Sequence, residues 1–282
     1  MNDKALAITC LQTQEINTTP SRAMRVWQDL YEGLKNWRIW VLLSWQDIRL
    51  RYRRSQLGPF WLTISMAITI YTMGFLYGHL LHIPIRTYFP YLATGMLTWN
   101  LISLLIVDGT NAFIEAENFL KQIKLPYSVF VLRVISRCFM VFMHNVVVLI
   151  PLYFIFHIHP SWAMLMLIPS LLLIFINAYS YCFILAMIGA RFRDVAQLIT
   201  SVMQIIFFVT PIMWSPDILP QQYQIWVELN PFASLVEILR APLVSQMPSL
   251  YALAVTLLLT VTGVVMAFAL LLRARHRIIY WL

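Results

Sequence analysis

The sequence predicts an all-α polytopic membrane protein, and three observations carry that prediction. Of the 282 residues, 60% are hydrophobic and only 11% charged, against about 25% charged in an ordinary soluble domain. Five uncharged windows, 55–85, 87–107, 138–190, 195–216 and 241–272, each supply the ~20 apolar residues that a crossing requires. Within them apolar residues run continuously instead of alternating every second position, which favours helices over a barrel. The window 138–190 is too long for one crossing, and His157-Ile158-His159-Pro160 places a polar, proline-marked turn near its middle. Six transmembrane helices follow.

Taken in order, residues 1–26 are polar and are expected to form a flexible cytoplasmic tail; Asp3 and the short apolar run Ala5 to Leu11 do not resemble a cleaved secretory signal. Over 27–56, Trp27, Leu30, Leu34, Trp37, Val41 and Trp45 recur at spacings of three and four, with Asp29, Glu32, Lys35 and Arg38 off that line. That pattern suits an amphipathic helix lying in the membrane interface or one packed on a partner protein; both place it beside the bilayer. The membrane domain occupies 57–282, with spans expected at 57–82, 88–109, 128–156, 161–190, 195–213 and 249–272. Between the fifth and sixth, residues 214–248 are moderately apolar and marked by Pro216, Pro220, Pro231, Pro242 and Pro248. Its apolar runs are too short to span, so re-entrant helices dipping into the outer leaflet are expected, backbone that is tolerated only against protein or a wet cavity.

Six crossings put both termini on one side. Arg86 and Arg240 fall in loops on one face and the other 18 Lys and Arg on the opposite face, which makes the richer face cytoplasmic. The net charge of +8 therefore reads as attraction to anionic lipid at the membrane border, not as a nucleic-acid surface.

Signs of catalysis are sparse. Acidic residues are nearly absent from the spans: Asp108 sits at the end of helix two, with Glu115 and Glu117 beyond it. The pairs His79/His82 and His157/His159 fall at the outer water interface without nearby Asp or Glu, which suits interface residues better than a metal site. Cys10, Cys138 and Cys182 have no metal-ligand spacing, and no G-x-x-x-x-G-K-[ST] loop is present to cradle phosphates. Transport remains as the expected activity.

Three charged stretches then stand out. In DIRLRYRRSQLGPFW, Arg49, Arg51, Arg53 and Arg54 crowd the mouth of the first span before Gly58 and Pro59. In EAENFLKQIKLP, Phe119 and Ile123 lie four apart, Glu117 can pair with Lys121 across one turn and Pro126 limits continuation; a short amphipathic helix and an ordinary charged loop both fit. ARFRD, with Arg191, Arg193 and Asp194, joins helices four and five in a basic turn that also serves as a positive-inside anchor.

Together with ARFRDVAQLI, TPIMW and NPFASLVEILR, these stretches resemble, in order and spacing over about residues 30–280, the permease subunits of ATP-binding-cassette exporters for surface polysaccharides: O-antigen, capsule and teichoic acid. The resemblance implies a type-2 exporter: a homodimer of six-helix subunits in the bacterial inner membrane, with a channel along the dimer axis. Two copies of a separate ATPase would bind the ATP and Mg, leaving no cofactor in this chain. It further implies a coupling helix seated in the ATPase, here Glu115, Glu117, Asn118, Phe119, Lys121, Ile123 and Lys124. The cargo would be a glycan on undecaprenyl diphosphate, met by Arg49, Arg51, Arg53 and Arg54, with Gly58-Pro59 as hinge to a lateral entrance; simple topological anchoring is the other reading of those arginines. The resemblance puts helices one and five at the channel. There Phe60, Trp61, Tyr71, Phe75 and Tyr77, with Phe207, Phe208 and Trp214, would stack on sugar rings. A permease for another amphiphile or a drug, and a membrane-embedded transferase on lipid-linked sugar, are the alternatives.

Overall fold

The computed structural model describes residues 21–80 and 84–282. Most of the expected tail, Cys10 and His82 lie outside them. Every regular element among the described residues is helical, and five helical stretches are long and apolar enough to cross a bilayer: Phe60–Leu80, Ile85–Gln122, Tyr127–Phe156, Trp162–Arg191 and Leu250–Trp281. A sixth apolar helix, Val195–Val209, has 15 residues.

The N-terminal segment is two helices instead of one. Helix α1 (Arg22–Lys35) starts at Ser21, whose hydroxyl accepts from Met24 N. It stops at Asn36, and α2 runs Trp37–Arg51. The break re-aims the buried face, which carries Val26, Asp29 and Gly33 in α1 and Ser44 and Ile48 in α2. Asp29, expected on the polar side, is thus inside. Gly33 makes this possible, since a Cβ there would stand 1.9 Å from Ser128 Oγ. The tryptophan stripe points the other way: Trp27, Trp37 and Trp45 are exposed.

Helix α3 (Phe60–Leu80) is 21 residues long, about 31 Å at 1.5 Å per residue, the thickness of a hydrocarbon core. Helix α4 (Ile85–Glu115) is longer and forms the centre of the bundle, with Leu92, Ala93, Leu97, Leu101 and Phe113 almost wholly buried. After Ala116 a short α5 (Glu117–Gln122) turns back towards α6 (Tyr127–Val146). The expected third span is divided, with α7 (Leu149–Phe156) following a break at Val147–Val148. Pro151 explains it, because a proline lacks the N–H for the carbonyl four residues earlier, that of Val147, and its ring clashes with it. His157 closes α7 in a left-handed conformation (φ 53°), at the turn read from the sequence.

A 3₁₀ turn (Trp162–Met166) capped by Ser161 leads into α8 (Leu167–Arg191). It packs on α4 at backbone distance. A Cβ on Gly189 would lie 2.2 Å from Thr110 O, and one on Gly109 would lie 2.7 Å from Cys182 Sγ. Small residues permit such approach where lipid gives helices no hydrophobic reason to associate.

Helix α9 (Val195–Val209) ends before Pro211. The unwound stretch that follows keeps its carbonyls satisfied by side chains: Tyr88 Oη donates to Met213 O (2.8 Å), Tyr91 Oη to Pro211 O (3.1 Å) and Trp214 O (3.2 Å), and Arg240 Nη1 to Pro211 O (2.8 Å). The expected re-entrant region holds two short helices, α10 (Gln221–Glu228) and α11 (Pro231–Leu243), the latter capped by Asn230. Helix α12 (Leu250–Ala274) and a final turn, α13 (Ile278–Trp281), complete the chain.

Candidate functional site

The arginines lie where α2 meets α3. Arg49 and Arg51 occupy the last turn of α2, beside the carbonyl end of the helix that favours cations, and Arg53 and Arg54 follow; all four are exposed. Gly58 has φ +56° with nothing within 4 Å of a notional Cβ, so glycine is required there by backbone conformation and not by packing. Pro59 then leads directly into α3. An open basic cleft of about 620 Å³ is lined by Gln46, Arg49, Leu50, Tyr52, Arg53 and Pro59. Arg51 faces a second cavity, of about 310 Å³, between α3, α4 and α6.

Behind the mouth lies an ionic network that the sequence reading missed. Arg133 holds Asp47 bidentately (Nε–Oδ2 2.7 Å, Nη2–Oδ1 2.5 Å). Arg137, 5% exposed, reaches Asp47 (3.2 Å), Asp108 (3.2 Å) and Glu115 (2.9 Å). Asp47 stands two residues before Arg49, and Glu115 two before Glu117, so one guanidinium joins the mouth to the base of α5. The available signal was a pair of arginines at i and i+4 inside an expected span; ionisable groups at such depth mark pathways and come paired. Asp29 was missed in the same way. Its carboxylate accepts from Tyr127 N (3.3 Å) and Ser128 N (3.1 Å), serving as the N-cap that Pro126 does not provide. It also accepts from Arg275 Nε (3.0 Å) and Nη2 (2.8 Å).

Around α5 the expected pair forms, with Lys121 Nζ 2.6 Å from Glu117 Oε1. Lys121 also donates to Leu282 O (3.1 Å), Arg193 lies 3.5 Å from Glu117, and the Arg191 guanidinium sits 5.7 Å from the Trp281 ring centroid. The residues of α5, the basic turn and the last residues of the chain are therefore one surface. On it Asn118, Phe119, Ile123 and Lys124 are exposed, and so is Glu115, whose carboxylate nevertheless reaches Arg137. Asp194 is exposed at the start of α9.

The aromatic set divides. Phe60, Trp61, Phe75 and Phe208 are exposed. Tyr71 packs on Phe89 (5.6 Å between centroids) and Phe207 on Trp99 (5.8 Å). Tyr77 is half-buried, and Trp214 donates to Phe208 O (3.2 Å). Cys138 and Cys182 are free and buried. Among the described residues no group of three or more His, Cys, Asp or Glu is placed to hold a metal ion.

A family model described as ABC-2 type transporter matches residues 38–244. The chain belongs to the ABC-2 type transporter family. That match runs from α2 to the end of α11, taking in the arginine mouth, Arg133, Arg137 and α5. Two proteins of Klebsiella pneumoniae named O-antigen export system permease protein RfbA are 22% and 23% identical over 197 residues, 70% of this chain and 76% of theirs. A Myxococcus xanthus protein of the same name is 24% identical over 201 residues, with the same coverage. This ABC-2 permease is thus the membrane subunit of a transporter and not a catalyst, and its family implies association with an ABC ATPase.

Proposed function

We propose that this ABC-2 permease exports polysaccharide linked to undecaprenyl diphosphate, O-antigen or capsule, from the cytoplasmic side across the bacterial inner membrane. Two copies form the conduit, each crossing six times with α9 as the fifth span, and two copies of a separate ATPase bind the ATP and Mg that drive it. The observation that carries this reading is the mouth of α3. Arg49 and Arg53 line an open cleft of about 620 Å³ next to the left-handed turn at Gly58. A diphosphate is a dense anion at the polar border of the membrane, and hydrogen bonds from arginine to phosphate are roughly twice as strong as neutral ones.

The exposed faces support pairing of two copies. Helix α3 buries only Met66, Ile70, Gly74 and Gly78, and α9 buries only Met203. Two helices so poorly covered suit a lumen and a contact with a second protomer. Glu117, Asn118, Phe119, Lys121, Ile123 and Lys124 would seat in the ATPase. Movement there would reach the mouth through Glu115, Arg137 and Asp47.

The test replaces Arg49, Arg51, Arg53 and Arg54 singly by Glu, in the permease co-expressed with its ATPase. Membrane topology, read by cysteine labelling, is expected to stay as it is. Export of lipid-linked glycan, and the ATPase stimulation it causes, are expected to fall tenfold or more in at least two variants. Full export by all four variants would leave the arginines as anchors only and sink the proposal.

A further inference from the structure

On the far side of α4 from the arginine mouth lies a further cleft, of about 350 Å³, walled by α4, α8, α12 and the first turns of α11. Asn100 and Leu104 of α4 face the polar cavity beside Arg51, whereas Ile102 and Ile106 face this one. Positions two apart on a helix point about 200° away from each other at 3.6 residues per turn. The wall is apolar. Its few polar side chains direct their donors to protein: Tyr181 Oη to Leu259 O (3.1 Å), Cys182 Sγ to Leu105 O (3.1 Å), and Asn177 Nδ2 to Leu173 O (2.9 Å) and Thr260 Oγ1 (2.7 Å). The Asn177 oxygen has no partner, but it is closed off within the protein and does not reach the cleft.

Depth decides what can enter. Ile174 and Leu185 of the wall stand seven and six residues from the two ends of α8 (Leu167–Arg191), about 10 Å inside each at 1.5 Å per residue. The cleft therefore opens at the middle of helices that are long and apolar enough to span, where the surrounding medium is hydrocarbon. Water does not fill an apolar space, and protein interiors leave few gaps larger than one water molecule, so a space of this size calls for an apolar occupant. The prenyl tail of a cargo held at the mouth is separated from it by α4. A second copy is also badly placed, because α3 and α9, the two poorly covered helices, contribute no residue to the wall. An acyl chain meets the requirement, since it reaches mid-membrane depth while its headgroup stays at the interface.

We propose that this cleft holds one acyl chain of a membrane phospholipid as a resident part of the permease. The chain packs on Phe232, whose ring in turn meets Trp99 (6.0 Å between centroids), and Trp99 meets Phe207 of α9 (5.8 Å). Lipid thereby completes the packing behind α11 at the point where the protein's own side chains leave it open.

The test places the complete permease–ATPase complex in nanodiscs containing a phosphatidylcholine with a diazirine in one acyl chain, and maps the adducts formed on irradiation by peptide mass spectrometry. Adducts on Ile106, Leu185 and Leu259 are expected to exceed fivefold those on Leu172 and Val261, which are exposed on α8 and α12 and report passing lipid. Ala178→Phe, which fills the cleft from its buried wall, is expected to remove the wall adducts and keep those on Leu172 and Val261, which also reports insertion and folding. Should Ala178→Phe fail to fold, Leu259→Trp at the half-buried rim is expected to do the same. Equal labelling of wall and surface means transient contact and overturns the proposal. Labelling of the wall that survives filling overturns it too. Loss of the wall adducts on adding undecaprenyl phosphate would give the cleft to the cargo's tail, and absence of wall adducts, whether the cleft is closed or covered by a second copy, would leave no lipid site; either result overturns it.

Discussion

Arg137 is the residue on which most of the buried charge depends. Its side chain is 6% exposed and it faces carboxylates from three places: Asp47 on α2, Asp108 within α4 and Glu115 at the end of α4. Removing one member of a buried ionic group costs about 3–5 kcal/mol, because the others remain buried without compensation. Arg137→Gln is therefore expected to lower the melting temperature of the purified protein severely or to abolish folded yield. Glu115 is different. Its side chain is 39% exposed, water can take over its solvation, and Glu115→Gln should cost about 1 kcal/mol or less. A thermal melt of the two variants side by side checks the order. If Glu115→Gln were the more damaging, the network would be organised around the base of α5 instead of Arg137. Asp47 and Arg133, in bidentate contact, should show a coupling of about 0.5–3 kcal/mol in a double-mutant cycle.

At the scale of elements, two glycines that look alike in sequence have opposite physical roles. A Cβ at Gly189 would stand 2.2 Å from the carbonyl oxygen of Thr110, and a backbone atom cannot rotate away. Gly189→Ala must therefore push α8 off α4, just ahead of the ARFRD turn, at an overpacking cost of about 1–3 kcal/mol or more. Gly58 has open space around it but a positive φ, so Gly58→Ala costs about 1–2 kcal/mol of local strain and disturbs no neighbour. Folded yield by size exclusion should drop for Gly189→Ala and stay near native for Gly58→Ala. Equal losses would mean that the turn at Gly58 also packs against something. The same contrast explains what was legible in the sequence. Span positions, the turn at His157 and the Glu117–Lys121 pair depend on neighbours within a few residues, and the pattern displayed them. The inward turn of Asp29 and the bonds of Arg133 and Arg137 to Asp47 depend on partners 86–99 positions away, so their sequence surroundings carried only a weak trace. Within the site, the arginine mouth was legible as a cluster. That Arg51 shares a polar cavity with Asn100 and Asn145 was not, because three helices from distant segments enclose it.

For the whole molecule, contacts on one face fix the parity of crossings. Helix α5, the end of α8 and the end of the chain touch one another: Lys121 bonds Leu282 O, Arg191 lies over Trp281, and Arg193 reaches Glu117. Asp29 of α1 joins the same group through Arg275 and the start of α6. Groups in contact lie on one side of the membrane, so the chain crosses an even number of times between α8 and the end of α12. If α12, with 25 residues, crosses once, α9 has to cross as well, as the proposed six-span arrangement requires. Its 15 residues reach about 22 Å, short of the ~30 Å core. The following stretch 210–214 makes up the difference, adding up to about 16 Å at ~3.3 Å per residue. It can lie in the membrane because Tyr88, Tyr91 and Arg240 satisfy its carbonyls. The prediction concerns two positions flanking α9. In a Cys10→Ser background, Asp217→Cys should react with an impermeant maleimide from outside intact cells, and Asp194→Cys only after permeabilisation. Labelling of both from the same side would make α9 a surface helix and break the parity on which six crossings depend. Arg240→Gln takes one donor from the segment that completes the crossing, so it should raise labelling at Asp217→Cys without moving Asp194→Cys to the outside.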